Sequence, residues 1–154
     1  MRLLSTVFLV VMLVAAGCNK AVVSTTTSEV NYIGSTDGTV TLRAVGYGKT
    51  EQEAIRHAEV QAFETILFRG VPGAKDITNA LITDEGKARS EHSSYFAELL
   101  KQDRYRTFVM SAITSGAFVR DRKRGNRAAV DVKINLYNLR RDLEQNKVIR
   151  KFGF

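Results

Sequence analysis

Alanine recurs at every fourth position in Ala54, Ala58 and Ala62, and Ile66 completes the row, shortly after the segment Gly46-Tyr47-Gly48. At 3.6 residues per turn this spacing places all four side chains on one stripe of a helix. The stripe is methyl-sized over most of its length, so the helix it belongs to can approach a sheet closely. Ile55 lies beside the stripe, and Phe63 and Leu67 widen it toward its C-terminal end. Thr50 and Glu53 have capping-box spacing, in which a hydroxyl and a carboxylate each take an otherwise unbonded N–H. The pattern predicts a helix over residues 50–69, with Gly70 as its stop.

Residues 39–47 alternate, with Val40, Leu42, Ala44 and Gly46 on one face and Thr41, Arg43 and Val45 on the other. That is strand periodicity. Residues 29–34 supply a first strand, and Ser35-Thr36-Asp37-Gly38 is the turn between the two. A second hairpin is expected from strands over 105–119 and 127–137, joined at 120–126 with Gly125-Asn126 as the turn element. In its second strand Val130, Val132, Ile134 and Leu136 alternate with Ala129, Asp131, Lys133 and Asn135, the pattern of a strand with one wet face. Residues 71–91 form a long connection with at most a helical turn near 78–81. A short helix over 93–101 presents Tyr95, Phe96, Leu99 and Leu100, and Asn138 is the expected N-cap of a last helix ending near 146. Two hairpins around a principal helix predict an α+β fold in two layers: an antiparallel sheet of about four strands against that helix and shorter ones. The chain has 154 residues, 44% of them hydrophobic, which suits one such domain over residues 29–154.

The first eighteen residues are of another kind. Met1-Arg2 precedes an apolar run from Leu3 to Val14, then Ala15-Ala16-Gly17 and Cys18. The run is short for a membrane span, which needs about 20 apolar residues. It has the length and flanks of a secretory signal peptide. Cys18 is the sole cysteine, so no intramolecular disulfide can form. Its position after Ala-Ala-Gly resembles the lipobox of bacterial lipoproteins, although Ala15 stands where that family usually has leucine. The resemblance implies cleavage after residue 17 and acylation of Cys18, palmitate included. The alternatives are an ordinary signal peptide followed by a chance cysteine, or an uncleaved anchor. By the same resemblance, Asn19 lacks the aspartate of inner-membrane retention, which favours the periplasmic face of the outer membrane of a Gram-negative bacterium. Residues 18–28 are the expected acylated cysteine and tether, rich in Ser and Thr; ten residues reach at most ~35 Å. Without residues 1–17 the chain keeps 22 basic and 16 acidic residues, a side-chain charge of +6 that suits an anionic partner without naming one.

No catalytic constellation stands out. His57 lies with Glu53, Gln61 and Glu64 on the polar side of the principal helix, and His92 ends the long connection. Both are expected to be solvated, since a zinc site needs three or four ligands at tight spacing. Gly46-Tyr47-Gly48 joins a strand to a helix N-terminus, the place where phosphate loops occur. The remaining glycines of the dinucleotide or Walker patterns are missing, so the two glycines are expected to serve the turn and the helix–sheet contact. Arg120, Arg122, Lys123, Arg124 and Arg127 crowd the tip of the second hairpin, opposed only by Asp121. Such a run is either a solvated face or a contact for anionic lipid headgroups or an acidic partner. Export argues against nucleic acid. Tyr95, Phe96, Phe108, Phe152 and Phe154 are expected in the core or docking the tail, with a lipid-binding cleft between helix and sheet as the other reading.

The segment from Leu42 to Gly48, followed by Glu53-Ala54, Ala58 and Ala62, resembles a periplasmic motif of small outer-membrane lipoproteins and of the N-terminal domain of flagellar assembly protein T. Residues 66–73 resemble uncharacterised lipoproteins of similar layout. The resemblance implies a compact α+β module for envelope assembly or binding, with no enzymatic activity, no cofactor and no catalytic residue to transfer. The expectation is therefore a non-enzymatic, lipid-anchored envelope protein that binds a protein or an envelope polymer. The alternative is a periplasmic lipid- or small-ligand-binding module.

Overall fold

The first hairpin turns on Asp37 and Gly38, whose φ angles of 46° and 74° are both left-handed. This is the two-residue turn whose twist matches that of its flanking strands, and Asp-Gly is among the pairs that adopt it most easily. It joins β1 (Val30–Thr36) to β2 (Thr39–Tyr47), with Thr36 paired to Thr39. The computed structural model describes residues 29–120 and 125–150. Within them β3 (Val109–Thr114) and β4 (Arg127–Asn135) complete a four-stranded antiparallel sheet in the order β1-β2-β4-β3. The two hairpins are joined through β2 and β4, which pair over their whole length from Thr39–Asn135 to Tyr47–Arg127.

Helix α1 (Glu51–Phe68) lies across β2 and β4. Its Ala54, Ala58, Ala62 and Ile66 are fully buried against Val40, Leu42, Ala44, Val130, Val132 and Ile134, the faces that alternation selects. The small stripe brings the helix backbone onto the sheet. A Cβ on Gly46 would lie 1.9 Å from the Ala54 carbonyl oxygen and 2.3 Å from the Ala58 nitrogen, so only glycine fits there. Thr50 caps the helix by accepting from the Glu53 N–H at 3.2 Å, and the Glu53 carboxylate accepts from the Lys49 N–H at 2.7 Å. At the other end the Gly70 N–H donates to the Thr65 carbonyl at 2.8 Å with φ at 77°, the left-handed stop expected of it.

Residues 71–84 return to the same helix end. The Leu81 and Ile82 N–H groups donate to the Ile66 and Leu67 carbonyls, which the helix itself leaves unbonded. Val71, Ala74 and Ile77 are buried there. The connection is thus an ordered loop, and no helical turn forms at 78–81. The helix in this region lies further on, as α2 (Glu85–Glu91), capped by Asp84, which accepts from the Lys87 N–H at 2.9 Å. It buries only Ala88, so it has no apolar stripe for periodicity to find.

Next come α3 (Ser93–Phe96) and a π-helical turn (Ala97–Lys101), which together bury Tyr95, Phe96, Leu99 and Leu100 as expected. The expected strand over 105–119 is corrected at both ends. A 3-10 turn (Arg104–Phe108) precedes β3, because burying Tyr105 and Phe108 three residues apart calls for a period of three. Gly116, at φ 102°, breaks the strand, and Val119 pairs again with Arg127 alone. The last helix, α4 (Leu136–Gln145), starts earlier than expected, with Asn135 and not Asn138 as N-cap; Asn135 accepts from the Asn138 N–H at 2.9 Å. Leu136 belongs to its buried stripe with Leu139 and Leu143. Val148 and Ile149 pack half-buried on the core, while Phe152 and Phe154 lie outside the described residues.

Candidate functional site

The end of the sheet where β2 finishes brings the Gly46-Tyr47-Gly48 turn together with Arg127 and Arg120. Tyr47 pairs with Arg127, and Arg127 also pairs with Val119, next to Arg120. The Gly48 N–H donates to the Asn126 carbonyl at 3.1 Å, and the Asn126 side-chain amide donates to the Lys49 carbonyl at 3.1 Å. The base of the second hairpin is thereby clamped to the turn that enters α1. Arg120 and Arg127 are exposed. Arg122, Lys123 and Arg124 lie outside the described residues, as does Cys18.

Glu29 belongs to the same end. Its carbonyl accepts from the Val45 N–H at 3.1 Å, and its carboxylate accepts from the Tyr47 hydroxyl at 3.3 Å. Glu29 therefore lies at the same end of the sheet as Arg127, across β2 from it.

The Gly46-Tyr47-Gly48 turn offers no phosphate cradle. The space a Cβ would take at Gly48 is filled by Glu53 and the Ala54 nitrogen, both within 2.6 Å, and the helix end is occupied by its own capping groups. His57 has a structural bond that its polar surroundings do not suggest. Its Nδ1 accepts from the Tyr47 backbone N–H at 3.1 Å, with the two rings edge to face at 6.4 Å. Burial of one side of the ring pushes its pKa down, and the Glu64 charge partly offsets this. His92 closes α2, its N–H donating to the Ala88 carbonyl, and lines an open cleft with Lys87 and Glu91, which lie 4.0 Å apart. Among the described residues no group of three or more His, Cys, Asp or Glu could hold a metal ion, and no helix is long and apolar enough to cross a membrane.

Only one face of the sheet is covered by α1. The other face carries Thr41, Arg43, Val45, Ala129, Asp131 and Lys133. At its centre Arg43 and Asp131 pair through two hydrogen bonds of 2.7 and 2.8 Å. The hydrogen bond from Arg43 holds the Asp131 pKa below its ordinary value.

Two polar networks, which the sequence reading missed, lie on the covered side. Glu59 is only 5% exposed and accepts from the Tyr105 hydroxyl at 2.7 Å and from Arg106 at 3.0 Å. Burial, then the Glu59 carboxylate, pushes the Tyr105 phenol up to about 12. Asp142 accepts from the Tyr95 hydroxyl at 2.7 Å and from both terminal nitrogens of Arg104 at 3.0 and 3.1 Å. Each network fixes the segment 93–108 to a helix, α1 or α4, with its acceptors engaged. Glu59 was detectable in principle: Ile55 and Phe63, four residues to either side, place it on the apolar arc. No protein-family model, no curated protein and no solved structure matches this chain.

Proposed function

We propose that this chain is a non-enzymatic, lipid-anchored protein of the bacterial envelope, held at the periplasmic face of the outer membrane through Cys18, and that it binds a protein or an envelope polymer in an assembly or scaffold role. The observation that carries the reading is the position of Glu29. The segment leading back to Cys18 enters the domain at the sheet end that holds Arg120 and Arg127. An anchor on that segment turns these cations toward the headgroups, where each charge contributes roughly 1 kcal/mol on an anionic surface. Two or more acyl chains on one cysteine suffice for stable attachment. The interior between α1 and the sheet is filled by side chains and helix backbone, which supports a binding surface over a ligand cavity. The open sheet face and its edges are left for a partner.

The test is fractionation of a Gram-negative host expressing the full chain or its Cys18→Ser variant, with mass spectrometry of the mature N-terminus. Acylated Cys18 in the outer-membrane fraction, and release of the variant to the soluble periplasm, are the expected results. A free thiol, an intact leader or unchanged membrane retention of the variant would refute the anchor.

A further inference from the structure

Strand β3 ends the sheet on one side, and among the described residues nothing pairs with its outer edge. Free edges template unwanted pairing, and proteins guard them with charges, prolines or cover. Residues 109–117 contain no charge and no proline. A bulge at Val109–Ser111 is the only interruption before the run from Ser111 to Thr114. Met110 and Ile113 are 56% and 65% exposed there.

The geometry of that edge is definite. The Ser115 N–H donates to the Ala129 carbonyl at 2.7 Å, so Ser115 faces β4. Alternation along an antiparallel ladder then turns the N–H and C=O of Ala112 and Thr114 outward. Both residues are exposed, and their small side chains leave the backbone accessible.

Charge says what fits. On the open sheet face Ser111 is opposite Lys133, Ile113 is opposite Asp131, and Val119 is opposite Arg127. Asp131 is already engaged by two guanidinium nitrogens of Arg43. Among the described residues no carboxylate forms an ion pair with Lys133 or Arg127. The edge thus has an apolar centre at Ile113, and the strand behind it, β4, carries a cation toward each end, Lys133 and Arg127. Ser111 is small enough for the Lys133 chain to extend over it to an added strand.

We propose that the β3 edge takes an extended segment of a partner protein as a fifth strand, apolar in its middle and with carboxylates toward its ends on the open face. This rests on the partner-binding reading and names its surface. Main-chain bonds supply affinity in such additions, and alternate side chains supply selectivity.

The probe is a fluorescein-labelled peptide, Glu-Thr-Val-Thr-Ile-Thr-Glu, titrated by anisotropy against the full chain in detergent. Saturable binding is expected, weakened about tenfold by Ala112→Pro, which removes an outward N–H and keeps the β4 pairing. A fully N-methylated peptide should bind the unaltered protein at least about tenfold more weakly, which excludes misfolding of the variant as the cause. A lysine-for-glutamate peptide should bind more weakly too. Equal binding by the proline variant, by the methylated peptide or by the lysine peptide would overturn the assignment. So would a dimer that Ala112→Pro dissociates, which would give the edge to a second copy. Anchoring is measured separately through Cys18, so absent peptide binding with anchoring intact removes the edge assignment alone.

Discussion

The Nδ1 atom of His57 takes the backbone N–H of Tyr47, one turn of α1 reaching back to the strand that leads into it. The bond exists only while Nδ1 is unprotonated. Burial depresses the folded-state pKa below the ordinary 6.5. The unfolded chain therefore takes up the proton first as pH falls, and stability is lost below about pH 6.5 until the folded value is passed. Urea midpoints at about pH 7.5 and about pH 5.5 should differ for the native chain and differ less for His57→Gln. Equal pH dependence in both would show that the bond does not carry the effect.

Gly46 lies under the helix backbone. A methyl group there meets the Ala54 carbonyl oxygen and the Ala58 nitrogen, which can yield only if α1 lifts. Gly46→Ala should cost about 3 kcal/mol or more, at or beyond the upper end of ordinary overpacking. Ala58→Leu should cost about 1–3 kcal/mol by the same contact. Gly34→Ala is the control: nothing lies within 4 Å of its Cβ position, and removing a strand glycine should be neutral or gain up to about 1 kcal/mol. Denaturant titration of the three variants checks the order.

The elements that could be foreseen are those whose buried side chains fall at a regular period. The Ala54–Ile66 stripe, the alternations of β2 and β4, and the Asp37-Gly38 turn each state their geometry locally. Where a short segment buries one residue, as α2 does with Ala88, there is no period, and only the Asp84 cap marks it. Leu136 continues the alternation of β4 and also opens the buried stripe of α4, so the boundary between them is ambiguous in sequence and is resolved by the Asn135 cap. The sheet end is a different case. The glycine turn and Arg127 are each visible in the sequence, but the pairing of Tyr47 with Arg127 depends on the β2–β4 register, a contact over about eighty positions that no local pattern encodes. Glu59 and Asp142 were missed because a charged residue is read as solvated by default. What engages them is the distant Tyr105, Arg106, Tyr95 and Arg104.

Glu59 and Tyr105 form a buried charge-assisted bond of 2.7 Å. Tyr105→Phe should cost about 1.5–3 kcal/mol. The double variant with Glu59→Gln should cost less than the two single losses combined, since both remove one interaction. The phenol is raised from 10 to about 12, so its contribution is held below pH 10 and lost as pH rises toward the folded value. Spectrophotometric titration should lose a component near 12 in Tyr105→Phe. A titration curve unchanged in that region would refute the burial of this hydroxyl.

Asp142 attaches α4 to the segment 93–108 through Tyr95 and a two-pronged Arg104 contact, with the guanidinium stacked 4.9 Å from the Tyr95 ring centre. The pair is only partly exposed, at 30% for Arg104 and 20% for Asp142, so salt should screen it weakly. Asp142→Ala leaves a cation and a hydroxyl without their acceptor and should cost about 2–3 kcal/mol. That cost should change little as salt is raised. Arg43→Ala breaks an ion pair of similar geometry, but its arginine is 44% exposed on the open sheet face, so its cost should be smaller than that of Asp142→Ala and should shrink with salt. Hydrogen exchange separates local from global effects. In Asp142→Ala, protection should fall first in α4, whose other anchors are Leu136, Leu139 and Leu143, while β2 and β4 keep theirs. A uniform loss across the sheet would mean that α4 and the sheet open as one unit and that Asp142 is not the bond that holds them together.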